Sequence, residues 1–136
     1  MRIVILGAGY VGLVSAACFA AFGVQVMVID PDAARIAALQ AGKIPIYEPE
    51  LDALVAQNVA AGRLHFHTAL DGLTDVAAVF IAVGTPSRRG DGHADLAYVY
   101  AAAEQIARAL PEGQFTVIVT KSTVPVGTGR EVMRRM

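Results

Sequence analysis

The chain has no tryptophan, one cysteine, and charge on only 17% of its 136 residues. Each shortage excludes something. A lone Cys18 cannot close a disulfide inside the chain, so a packed core must hold the fold, and a reduced, cytoplasmic setting is expected. With 11 Lys and Arg against 12 Asp and Glu, the net charge of -1 presents no excess of basic residues to nucleic acid or to an anionic membrane. No low-complexity tract, internal repeat or linker divides the sequence, and its length bounds it to one domain with a real core. What is abundant is apolar: hydrophobic residues make up 55%, and the excess is mainly Ala and Val. That composition suits helices packed closely on a sheet buried on both faces.

The sharpest local absence is of charge between Arg2 and Asp30. Such a run is long enough to cross a bilayer, and "SAACFA" has the small residues of an export cleavage site. Gly7, Gly9 and Gly12 argue against that reading, because they weaken a helix where a signal's apolar centre should be strongest; Gly23 and Gln25 interrupt the run again. The pattern also changes along the run. A β-like stretch from Ile3 to Leu6 gives way to a small-residue helix from Val11 to Phe22, then to β-branched residues from Val24 to Ile29. This is a βαβ unit.

The alternation continues. Strands are expected at Arg2 to Leu6, Val24 to Ile29, Leu64 to His67, Ala77 to Val83 and Phe115 to Thr120; helices at Val11 to Phe22, Asp32 to Gln40, Pro49 to Ala61, Asp95 to Leu110, and from about Val126. Right-handed crossovers then give an α/β, Rossmann-type doubly wound parallel sheet of order 3-2-1-4-5. The last helix is still running at Met136, which reads as a cut through a larger protein.

Gly7-Ala8-Gly9-Tyr10-Val11-Gly12 fits G-x-G-x-x-G in the context the motif needs, after a strand and opening a helix. Gly7 allows the tight turn and Gly9 the approach of a pyrophosphate. Gly12 allows close helix packing, and the helix N-terminus offers N–H groups to the phosphates. Asp30 ends the second strand where a carboxylate can accept from the adenosine ribose hydroxyls, although capping the next helix is its simpler role. A 2'-phosphate would meet that carboxylate at close range, so NAD is favoured over NADP; Arg35 is the residue that could reverse this.

Beyond these, "GAGYVGLV", "GKIPIYEPEL", "GRLHF", "VFIAVGTPS", "DGHADLAYV" and "VTKSTVPVGT" resemble the UDP-glucose/GDP-mannose dehydrogenase family, in family order over nearly the whole chain. The likeness is closest to its UDP-glucose-oxidising members. It implies the N-terminal NAD-binding domain, 1–136, truncated at its C-terminal end, of an enzyme that oxidises C6 of UDP-glucose twice with two NAD. It also implies a UDP-sugar substrate reached through the remaining half, and a homo-oligomer. GDP-mannose, a UDP-N-acetyl-aminosugar, or a freestanding NAD-binding module without catalysis are the alternatives.

Carried over by residue, the resemblance puts Gly7, Gly9, Tyr10, Val11 and Gly12 at the pyrophosphate loop and Asp30 at the ribose. Arg35 stands near the same ribose, where the family usually has Lys. Gly84 and Thr85 approach the cofactor from the other side, and Thr123 is the catalytic candidate beside the nicotinamide. Read without the family, Ser122 and Thr123 are helix caps before Pro125. Glu50 stands where the family usually has Gly, and Val24 where His is common.

The family's nucleophilic Cys, with a Lys and an Asp, lies in the other half. Cys18, among Ala16, Ala17 and Ala20, is expected to be a small core residue instead. His65 and His67 share a strand face and suit a surface or packing role better than a metal site, Asp95 suits a helix cap, and Arg88 and Arg89 a solvated pair. The resemblance also implies a sixth strand beside the fifth. Without it, the chain is expected to self-associate along that edge, or to fold its last helix over it.

Overall fold

The computed structural model describes all 136 residues. A five-stranded parallel sheet of β1 (Arg2–Leu6), β2 (Gln25–Ile29), β3 (Leu64–His67), β4 (Ala78–Ile81) and β5 (Val117–Thr120) has the order β3-β2-β1-β4-β5. Five helices connect the strands: α1 (Tyr10–Ala21), α2 (Ala33–Gln40), α3 (Leu51–Ala60), α4 (Ala97–Ala109) and α5 (Thr128–Arg134). The expected order and every expected element are present, with ends moved by a few residues.

Alternation along the strands makes two cores. Ile3 and Ile5 of β1, Val26 and Val28 of β2, and Leu64 and Phe66 of β3 face the layer of α1, α2 and α3. Val4, Leu6, Ile29, Val79 and Ile81 face α4 and α5. The central strands are buried on both faces, which is why they read as continuous apolar runs. Helix α1 buries Gly12, Leu13, Ala16, Ala17 and Ala20, a stripe at helical spacing whose small side chains bring it close to the sheet. Cys18 corrects the sequence expectation: it is exposed. It lies off that stripe, seven residues from the exposed Val11, and its small neighbours are buried because they belong to the stripe and it does not.

Three expected strands, the second, fourth and fifth, are shorter than the sequence suggested. At β5 the chain is held before the ladder begins: Thr116 Oγ1 donates to the Val76 carbonyl, and Gln114 Nε2 to the Leu73 carbonyl at 2.7 Å. These side-chain bonds replace strand pairing, and Phe115 is left exposed. Between β4 and α4 lies a small hairpin the sequence reading missed, in which Ser87 bridges Ala94 and Arg88 pairs with Asp91 at 2.6 Å. Arg88 is therefore not simply solvated. Asp95 lies one residue ahead of the N-cap position, Leu96, and is not itself the cap; its carboxylate accepts from the Ala97 N–H at the first turn of α4. His65 and His67 are both exposed.

The last helix does not fold over the β5 edge. Val132 is buried in the second core, and the Arg135 guanidinium lies 4.1 Å from the centre of the Tyr100 ring on α4. An apolar side chain and a cation–π contact hold α5 on α4, and β5 pairs with β4 alone.

Candidate functional site

Between β1 and β4 the strand order reverses, and connections leaving the C-terminal ends of the strands diverge there to open a crevice. A cleft of about 670 Å³ occupies this place. Gly7, Gly9, Tyr10, Val11, Asp30, Arg35, Gly84, Thr85 and Thr123 all line it. Gly12 does not, and its role is internal.

The three glycines of the loop differ. Gly7 has φ +109°, and a Cβ there would come within 2.4 Å of the Ala82 carbonyl oxygen. At Gly12 a Cβ would lie 1.9 Å from the Gly7 carbonyl oxygen and 3.6 Å from Ile5, so only glycine lets α1 start against the loop and strand. At Gly9 a Cβ would meet nothing within 4 Å. Gly9 also precedes α1 without a side-chain cap, and the helix has no acid in its first turn. An open backbone at an uncapped helix N-terminus has room and partial positive charge for a phosphate.

Asp30, only 8% exposed, ties this loop together. The Ala8 N–H donates to its Oδ2 at 2.9 Å and the Asp32 N–H to its Oδ1 at 2.9 Å, while Arg35 lies 3.4 Å from Oδ2. Capping of α2 falls to Asp32, which accepts from the Arg35 N–H. Oδ1 of Asp30, with one donor, keeps acceptor capacity, and Oδ2 is shared between the Ala8 N–H and the long Arg35 contact, which a hydroxyl donor in the cleft can replace. Loop, uncapped helix and carboxylate fit a dinucleotide.

On the far side, Ser122 and Thr123 are not helix caps, since α5 begins at Thr128 behind Gly127. Ser122 Oγ instead donates to the Val83 carbonyl at 2.8 Å, and the Lys121 and Ser122 N–H groups both donate to Ile81. This stitches the ends of β4 and β5 and leaves Thr123 exposed on the cleft wall, with Thr85 half-buried across from the glycine loop. Tyr98, Gln105, Lys121 and Thr68 also line the cleft. The sequence reading missed Tyr98 and Gln105 because nothing local marks which face of α4 turns toward the site, and Thr68 and Lys121 because only the fold shows that the residues just past β3 and β5 meet the cleft.

One bond crosses to a different part of the chain. The Tyr10 hydroxyl donates to Glu48 Oε2 at 2.9 Å, and this hydrogen bond to a carboxylate raises the phenol's pKa above the ordinary tyrosine range.

Comparison with known proteins agrees with this geometry. UDP-glucose 6-dehydrogenase of Rhizobium meliloti is 66% identical over 137 aligned residues, covering 98% of this chain and 30% of that protein. UDP-glucose 6-dehydrogenase of Pseudomonas aeruginosa is 50% identical, over 97% of this chain and 29% of its own length. The chain thus spans under a third of the curated relatives it matches. Among solved structures, a ternary complex of GDP-mannose dehydrogenase from Pseudomonas aeruginosa superposes with a TM-score of 0.88 at 40% identity, over 97% of this chain and 30% of that one. The UDP-glucose dehydrogenase of Pyrobaculum islandicum gives 0.86 at 40% identity, over 98% of this chain and 32% of that one. The model of the UDP-glucose/GDP-mannose dehydrogenase family, NAD binding domain, matches residues 1–136. This chain belongs to that family as its NAD-binding domain.

Proposed function

We propose that the chain is the NAD-binding domain of a UDP-glucose 6-dehydrogenase, which oxidises UDP-glucose to UDP-glucuronate with two NAD. The cleft at the switch point carries the cofactor reading, because it gathers the loop backbone, the ribose carboxylate and Thr123 on one surface. In this reading Gly9 and the N–H groups of Tyr10 and Val11 hold the pyrophosphate. Asp30 takes the ribose hydroxyls with Arg35 beside it, Gly84 and Thr85 close the other side, and Thr123 stands at the reacting end. Bound NAD supplies a hydride acceptor. The choice of UDP-glucose is supported by the 66% and 50% identical relatives. The only cysteine, Cys18, lies outside the cleft, so the 136-residue chain alone binds cofactor without oxidising sugar.

Calorimetry with both cofactors tests this. NAD should bind more tightly than NADP, and Asp30→Ala should shrink the difference by removing the ribose acceptor and the repulsion toward a 2'-phosphate. Because Asp30→Ala also strips acceptors from two backbone N–H groups, a loss of about 1–3 kcal/mol of stability should accompany it. Equal or tighter NADP binding would sink the cofactor reading. Formation of NADH dependent on UDP-glucose would sink the claim that this chain alone is inactive.

A further inference from the structure

The segment from Lys43 to Glu50 passes beside the start of α1 with little to hold it. No backbone N–H from Ile44 to Glu50 makes a hydrogen bond within the chain. Ile44 and Ile46 pack against the first core, whereas Tyr47 is fully out in solvent. Backbone bonds hold only the segment's two ends, where the Lys43 N–H donates to the Ala38 carbonyl and the Glu48 and Glu50 carbonyls accept from Leu51 and Leu54. Its one side-chain hydrogen bond is that of Glu48, which accepts from the Tyr10 hydroxyl at 2.9 Å across 38 residues of sequence.

Tyr10 is the first residue of α1, lines the cleft, and is 52% exposed. A ring so exposed would otherwise sample several rotamers, and a ligand contacting it would have to order it. We propose that Glu48 is a positioning residue for the cofactor cleft: its carboxylate holds the Tyr10 ring in one pose at the rim, so the 43–50 segment pre-forms the wall that the dinucleotide meets. The inference rests on the cofactor reading given above. It adds a residue outside the cleft lining, which Glu48 does not join.

The bond also engages a negative charge near a helix terminus that receives phosphate. An amide at this position would keep the acceptor and drop the charge. Glu48→Gln should therefore preserve positioning, and Glu48→Ala should abolish it.

The test is NAD affinity of the 136-residue chain by calorimetry, with thermal midpoints measured alongside. Glu48→Ala should weaken NAD by about three- to tenfold, the worth of ordering one side chain. Glu48→Gln should stay within about twofold of the parent. Tyr10→Phe should lose as much as Glu48→Ala, and the double variant no more than either. Ultraviolet titration should show the Tyr10 phenol ionising at lower pH in Glu48→Ala, toward the ordinary tyrosine range. NAD binding by Glu48→Ala equal to the parent would overturn the proposal, as would its full effect persisting in a Tyr10→Phe background. Should Glu48→Ala unfold, Tyr10→Phe severs the same bond, and unweakened binding there overturns it equally. A parent chain that fails to bind NAD overturns instead the cofactor reading on which this rests.

Discussion

At the scale of single residues, the glycine loop separates folding from binding. Gly12→Ala would place a methyl 1.9 Å from a backbone oxygen, which cannot yield as a side chain would. It should cost about 1–3 kcal/mol or more, read as a fall in the denaturant midpoint. Gly9 has φ -80° and open space before it, so Gly9→Ala should leave the midpoint unchanged. The added methyl points where a pyrophosphate would approach, however, and NAD affinity should drop at least about tenfold. Matching losses of stability in the two variants would show that Gly9 too is structural.

At the scale of elements, the ends of two helices carry opposite lessons. Glu50, before α3, has φ +68°, a left-handed conformation that costs an L residue about 1–2 kcal/mol and glycine almost nothing. Glycine also has more freedom to lose from the unfolded chain, so Glu50→Gly should be neutral to stabilising by up to about 1 kcal/mol, checked by chemical denaturation. At α5, Glu131 accepts from Arg135 Nε at 2.8 Å and pairs with Arg134 at 2.7 Å. The two guanidinium groups lower its pKa below the ordinary carboxylate range. A carboxyl whose folded pKa is depressed stabilises above its unfolded pKa, and that stabilisation is lost as pH falls through the folded value. Corrected for the intrinsic slowing of exchange in acid, amide exchange in α5 should thus quicken on acidification through the carboxylate range. Glu131→Gln should show the faster exchange already at neutral pH; exchange unaltered by that substitution would remove the pair from the account of how α5 is held.

At the scale of the whole molecule, the sheet has an open side. β5 pairs only with β4, and Val117 at its start is 46% exposed near the bare Phe115 ring. Unpaired strand edges with apolar side chains invite pairing with another chain. Light scattering of the 136-residue chain should therefore show concentration-dependent association, reduced by Val117→Lys. A monomer at all accessible concentrations would show that the edge is protected in some other way.

The sequence by itself determined the alternation of strands and helices, the switch-point architecture, the glycine loop and the carboxylate at the end of β2. These are local: strand and helix periodicities and the spacing of a loop are written in consecutive residues, and the parallel order follows from the hand of the crossovers. Glu50 was legible as a departure, and its left-handed backbone gives the reason glycine suits that position. Only the tertiary structure decided which way Cys18 faces, because a run of small residues is apolar all round and helix phase is set by what the sheet buries. It likewise decided that Ser122 bonds β4 rather than capping α5, that α5 lies on α4 and not on the strand edge, and that Glu48 meets Tyr10. Each of these is a contact between residues far apart in the chain, and no local pattern encodes the partner that packing brings to it.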